Sequence, residues 1–466
     1  MNQYFRILIY FILIMAIALA LKKFVPFTYQ PASWQISQVE IPIIKDIDTV
    51  VEVTTIVEDT VLIADIAIEP KDTIIEEYHL SCPTAFLEQL NRLHTELETA
   101  STSKRNIRIL HYGDSQIEGD RITARLRESF QKRFGGSGPG LTTVYDPLRI
   151  NPSVWIDSKG KWKIHSVYNR HNILTQKQYG LMGRTASLEA ASKGEFKISP
   201  SRWAESHASN YQKVRLFIVP HSDTILIKGH IKETEVINDS LPPSIDLTEI
   251  SWEFEQLSPK LNIELESENP IHVLGCALDS TCGVSVDNIA LRGQSSPMFH
   301  KTNAELFTAM GEHLNIRMVI LQFGTNVIPT VDTNYHFYKV QLAKQFDLLK
   351  KYLPGVPVMI VGITDAAYLS EGKIIPYQHL KRIRDAQKAV TLEYDFAFFD
   401  LYKAMGGSGS IVEWTKKSPP WALTDYIHLS RRGGEVAASY IIKALWHQFD
   451  QNELADTCLV TQKTVI

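Results

Sequence analysis

The chain has 466 residues, 44% hydrophobic and 21% charged, with a formal charge of −4 at pH 7. Its length suggests two domains with appendages, and the composition supports a sizeable core, which excludes a disordered or fibrous chain. There is no basic stripe or aromatic RNA motif, so no nucleic-acid partner is expected; Cys82, Cys276, Cys282 and Cys458 show no metal-ligand spacing, so neither metal nor cofactor is expected.

Residues 7–21 form an unbroken apolar run followed by Lys22-Lys23. The run is short for a spanning helix and matches a signal-peptide core, with Ala18-Leu-Ala20 as a cleavage site; Phe24, Val25 and Phe27 can extend it. The reading taken is an uncleaved membrane anchor over 1–27, with the rest exported to the cell envelope. Residues 28–80 read as an extended acidic linker, with a small β-rich subdomain around 54–68 as the alternative. Between 31 and 79, eleven Asp or Glu stand against Lys45 and Lys71, a net −9 that leaves +5 for the rest.

A helix is predicted over 83–99 from the spacing of Phe86, Leu90, Leu93 and Leu97. Ile107, Ile109 and Leu110 predict a buried strand ended by Gly113. A helical period then runs over 118–134 through Ile122, Leu126, Phe130 and Phe134. Ser115 therefore falls at the carboxyl end of a strand just before a helix, where open α/β sheets place ligands and backbone N–H groups can stabilise negative charge.

Residues 135–140 are a glycine-rich loop without the Gly-Lys-Ser/Thr of a phosphate cradle. From 141 to 284 the chain reads as short strands separated by turn signals, which predicts an inserted β-sandwich of the jelly-roll kind. Trp155, Trp162, Tyr168, Tyr179 and Trp203 can stack on sugar faces there or pack in its core. Beyond it, helical periods at 303–314, 337–352 and 375–394 alternate with strand-like runs at 317–322, 356–361 and 396–399. That alternation predicts a parallel sheet with right-handed crossovers. Trp414 and Trp421 either wall a groove or cap the core. A last amphipathic helix runs to about residue 449, and 451–466 reads as a tail.

The chemistry comes from blocks far apart in the chain. A serine hydroxyl is a poor nucleophile until a base takes its proton, and the base needs a partner that sets its tautomer. Asp425 and His428, three residues apart, can be preassembled on one turn, so only Ser115 must be brought to them. Gly293 and Asn326 each follow an apolar run. With the Ser115 N–H, the Gly293 N–H and the Asn326 amide make three candidate oxyanion donors.

Taken together, Gly113-Asp-Ser115, Gly293, Gly324-x-Asn326 and Asp425-x-x-His428 resemble the four blocks of the SGNH, or GDSL-type, hydrolases. The resemblance implies a flavodoxin-like three-layer α/β/α core over 81–140 and 285–450. It further implies Ser115 as nucleophile, His428 as base, Asp425 as its orienter, and Ser115, Gly293 and Asn326 as the oxyanion hole. Val327 stands where that family often has Asp. No Gly-x-Ser-x-Gly elbow surrounds Ser115, against an α/β-hydrolase fold. The inserted β-domain further resembles the architecture of peptidoglycan O-acetylesterases, implying an acetylated glycan as partner: 6-O-acetyl N-acetylmuramic acid. Acetyl transfer, another acetylated polysaccharide, or a glycan-binding scaffold with vestigial catalytic residues are the rivals.

Overall fold

A computed structural model describes Tyr78 and residues 80–169 and 173–463. The expected anchor over 1–27 and almost all of the acidic linker lie outside the described residues. Among the described residues no helix is long and apolar enough to cross a membrane.

One six-stranded sheet has the spatial order Leu80–Ser81, Ala397–Phe399, Val358–Val361, Ile316–Gln322, Asn106–Gly113, Gly283–Ala290. The short edge strand Leu80–Ser81 is antiparallel and the other five are parallel. Counted along the chain, those five lie in the order 2-1-3-4-5, the flavodoxin-like winding. Ile107 and Ile109 enter one apolar cluster and Leu110 and Tyr112 another; Met318 and Ile320 part from Val319 and Leu321 in the same way. A period of two sends successive side chains to opposite faces, so each cluster lies on one side of the sheet. Helices Thr84–Thr99, Thr123–Phe134 and Arg431–Lys463 contribute to the first, and Ala304–His313, His336–Tyr352 and Leu380–Glu393 to the second. Phe86, Leu90, Leu93 and Leu97 are all buried, as their spacing predicts.

Three boundaries differ from the sequence reading. The helix expected from residue 118 begins at Thr123, because Gly119 and Asp120 take left-handed φ angles of 70° and 58°. The buried Asp120 carboxylate is held there by Arg127, at 2.6 Å. The helix expected from residue 375 begins at Leu380; Lys373–Pro376 instead pairs with Ala367–Ser370 across Glu371-Gly372, both at positive φ as a two-residue hairpin turn requires. The last helix runs Arg431–Lys463, through the segment read as a tail.

Between Gly140 and Asp279 the chain forms two antiparallel sheets. One has the order Thr234–Leu241, Ile225–Ile231, Leu261–Ser267, Ser192–Pro200, Val154–Lys159. The other has the order Thr248–Glu253, Lys213–Ile218, Ile271–Asp279, Arg184–Leu188, Trp162–Ser166. Phe196, Ile227 and Ile263 from the first share a buried cluster with Leu216, Val273 and Leu278 from the second. The root of this insertion is tied to the parallel sheet by charge. Arg108, fully buried, reaches Asp279 at 2.5 Å and Asp287 at 2.6 Å, and Arg215 joins Asp279 at 3.1 Å.

Cys82, Cys276 and Cys282 are free thiols. Cys276 points into the sandwich core, where burial pushes its thiol up, and burial raises Cys82 to about 12. The side chain of Cys458 lies outside the described residues. Trp414 is buried and packs edge-on against the partly buried Trp421 at 5.3 Å.

Candidate active site

Ser115, Gly293 and Asn326 follow the carboxyl ends of three neighbouring strands: Asn106–Gly113, Gly283–Ala290 and Ile316–Gln322. The central one is the first parallel strand, where the winding order reverses and open sheets leave a crevice for ligands. The opposite wall comes from residues 422–429, a loop closed by the Ala422–Leu429 bridge and by the Leu423 N–H donating to the His428 carbonyl at 2.8 Å. The helix after it can lie close because of two glycines. A Cβ on Gly433 would stand 1.7 Å from the Trp421 carbonyl oxygen, and one on Gly434 2.3 Å from that of Arg121.

The structure brings Ser115, His428 and Asp425 together. Ser115 Oγ lies 2.8 Å from His428 Nε2, and His428 Nδ1 lies 2.7 Å from Asp425 Oδ2. The other carboxylate oxygen, Asp425 Oδ1, accepts the backbone N–H of Ile427 and of His428, each at 3.0 Å. Partial burial would raise the Asp425 carboxyl, but these donors and the ring of His428 outweigh it and hold it below the ordinary value. Ionised Asp425 favours the imidazole tautomer with its proton on Nδ1, leaving Nε2 to accept from the Ser115 hydroxyl.

The three candidate oxyanion donors are placed less uniformly. Among the described residues nothing accepts the backbone N–H of Ser115 or of Gly293. Gly293 stands in an exposed turn at φ 75°. The Asn326 amide spends one N–H on the carbonyl of Gln294 at 2.9 Å, tying its loop to the glycine loop. A carboxamide has two such hydrogens, so one remains for a ligand. Val327 is buried in the apolar cluster and offers no polar group.

Two supporting residues escaped the sequence reading. Asp114 Oδ1 accepts the Gln116 N–H at 2.9 Å and Oδ2 the Thr325 N–H at 3.2 Å, which joins the serine loop to the asparagine loop. Burial pushes the Asp114 carboxyl up to about 6 against the pull of those donors. Gln116 Nε2 donates to the Ile427 carbonyl at 2.6 Å, and its Oε1 accepts the Leu429 N–H at 3.2 Å. The carboxamide thus grips the backbone on both sides of His428. Its only sequence signal was adjacency to Ser115; no periodicity marks a glutamine in a turn as buried.

Of the aromatics the sequence offers to a sugar face or the core, Trp162 and Tyr179 are core residues, and Tyr168 is partly buried with Arg184 over its ring at 5.5 Å. Trp155 and Trp203 remain 42% and 53% exposed. Among the described residues no group of three or more His, Cys, Asp or Glu could hold a metal ion.

Neither a family profile nor a curated protein matches the sequence. Among solved structures, a peptidoglycan O-acetylesterase aligns over 80% of this chain and 99% of its own, with 20% identity and a TM-score of 0.61. That likeness shows a shared fold, the one the four blocks implied. A family two carbohydrate esterase from Cellvibrio japonicus is 8% identical over 64% of this chain and 99% of its own, at a TM-score of 0.23. An acetyl xylan esterase is 11% identical over 34% of this chain and 81% of its own, at 0.25.

Proposed function

We propose that this chain is a serine esterase that removes O-acetyl groups from a cell-envelope glycan, with 6-O-acetylated N-acetylmuramic acid of peptidoglycan as the substrate. The observation that carries the hydrolase reading is the unbroken hydrogen-bonded line from Ser115 through His428 to Asp425, at 2.8 and 2.7 Å. The substrate class is supported by the fold shared with a peptidoglycan O-acetylesterase. Export to the envelope is supported by the apolar run at 7–21.

In this reading Ser115 Oγ attacks the acetyl carbonyl as His428 Nε2 takes its proton, and Asp425 steadies the imidazolium. The negative charge on the carbonyl oxygen is met by the N–H groups of Ser115 and Gly293 and the second amide hydrogen of Asn326; one such donor lowers the barrier by about 3 kcal/mol in comparable sites. His428 then protonates the departing sugar oxygen, leaving an acetyl ester on Ser115. Water, activated by the same imidazole, attacks that ester, releases acetate and restores the serine.

The test is acetate release from O-acetylated peptidoglycan, followed by mass spectrometry of the glycan fragments, with wild type and Ser115→Ala. Wild type is expected to remove 42-dalton acetyl units (about 42 Da each, the mass of an acetyl less a hydrogen) and Ser115→Ala to lose roughly 10⁴-fold or more in kcat. Acetyl groups moved to a second sugar without free acetate would replace hydrolysis by transfer, and equal turnover by both proteins would remove the serine mechanism.

A further inference from the structure

Trp155 and Trp203 flank a single hollow of about 110 Å³ at the edge of the insertion. Both side chains keep a large part of their surface in water, although a free indole is among the most favourable groups to cover. Asn151 and Ser201 supply polar lining. Each is fixed by its own loop: the Asn151 side chain accepts the Ser153 N–H at 3.0 Å, and the Ser201 hydroxyl accepts the Trp203 N–H at 3.1 Å. The hollow is therefore preformed.

The Arg149 guanidinium lies 4.0 Å from the centroid of the Trp155 ring. Asp146 also lines the hollow; its Oδ2 accepts the backbone N–H groups of Ile150 and Asn151 at 2.6 and 3.4 Å, and among the described residues it makes no ion pair with Arg149. A guanidinium over an indole, making no ion pair among the described residues, offers its N–H groups to a ligand carboxylate. Two indoles, two hydrogen-bonding side chains and an arginine not paired with the Asp146 carboxylate suit a pyranose carrying a carboxylate.

The hollow is also joined to the triad. Pro152 and Trp203 line a second recess that includes Arg121 and Arg431. Arg121 Nη1 donates to the Ser115 carbonyl at 3.2 Å, and Arg431, three residues after His428, donates to the Trp203 carbonyl at 3.2 Å. We propose that the hollow between Trp155 and Trp203 is a second glycan subsite, seating a carboxylate-bearing pyranose of the same strand whose acetyl ester enters at Ser115. This rests on the esterase reading for the ester, but not for the binding.

The experiment compares wild type, Trp203→Ala and Arg149→Gln on O-acetylated peptidoglycan and on p-nitrophenyl acetate. The Ser115→Ala chain, alone and combined with each substitution, is titrated with muramic-acid-containing glycan fragments bearing free lactyl carboxylates and with neutral N-acetylglucosamine oligomers. Trp203→Ala should lower the ratio of kcat/KM on polymer to that on the small ester roughly tenfold, the scale of one lost aromatic stack. Arg149→Gln should abolish the preference for acidic over neutral fragments. An unchanged ratio together with unchanged binding in both variants overturns the subsite. Should wild type turn over no ester, weaker fragment binding by Trp203→Ala sustains the subsite while removing the esterase reading, and equal binding removes both.

Discussion

The strand Asn106–Gly113 and the strand Leu261–Ser267 are built on opposite rules. The first is buried at every position but one, whereas the second alternates buried and more exposed residues along its length. A parallel sheet with helices on both faces seals its strands completely; an antiparallel sheet of the insertion seals one face and leaves Asn262, Glu264 and Glu266 on the other. Polar residues in the sealed region must therefore find partners inside the protein, as Arg108 and His111 do, while those on the outward face of the insertion meet solvent. The comparison teaches where each kind of chemistry belongs. The triad needs side chains whose partners are fixed in advance, and it stands at the end of the sealed sheet. The exposed Trp155 and Trp203 lie on the insertion, where the proposed glycan subsite would find open surface.

The contrast is broken most severely at Arg108. Arg108→Met leaves Asp279 and Asp287 buried beside an apolar side chain, and unfolding free energy should fall by about 3–5 kcal/mol in urea titrations. Glu266→Ala, on the outward face of the insertion, should stay within about 0.5 kcal/mol of wild type. Equal losses in the two variants would dissolve the distinction between sealed and open strands.

His111 sharpens it with pH. Its ring is buried between the Thr123 hydroxyl at 2.8 Å and the Gln322 amide oxygen at 3.2 Å, and burial lowers it from 6.5 to about 4. Between those values the unfolded chain binds a proton that the folded chain refuses, so stability falls as pH drops through the window, by about 3 kcal/mol in all. Asp114 acts in the opposite direction: raised from 3.8 to about 6, it loses stability as pH climbs through that interval. Denaturant titrations of His111→Gln against wild type at pH 4 to 7 isolate the first effect. The variant should lose less stability on acidification, and parallel curves would show that His111 is not held neutral.

The smallest expected effect is at Gln116, which joins the serine loop to the histidine loop. Gln116→Ala should lower kcat about 10- to 100-fold by loosening His428, with KM little changed. It should also shift or broaden the low-field proton resonance of the His428–Asp425 hydrogen bond. An unaltered resonance and kcat would make the glutamine a filler of space.

Much of this was legible from residue order. The four blocks, the helix spacings at Phe86 to Leu97 and the strand alternation in the insertion depend on neighbours within a few positions, and local period and turn chemistry report on those directly. Asp425 and His428 could be paired from spacing alone because one turn holds both. For Trp155 and Trp203 the sequence favoured core packing over a sugar face, whereas both stay exposed. Only the folded chain decided that Trp162 is covered and Trp203 is not, that Gln116 grips the backbone around His428, that Gly119 and Asp120 turn left-handed to bring Asp120 to Arg127, and that Cys276 faces the sandwich core rather than Cys282. Each of those outcomes depends on which distant segment comes to rest against the residue. Burial and partnership are properties of that meeting, and no pattern among adjacent residues encodes them.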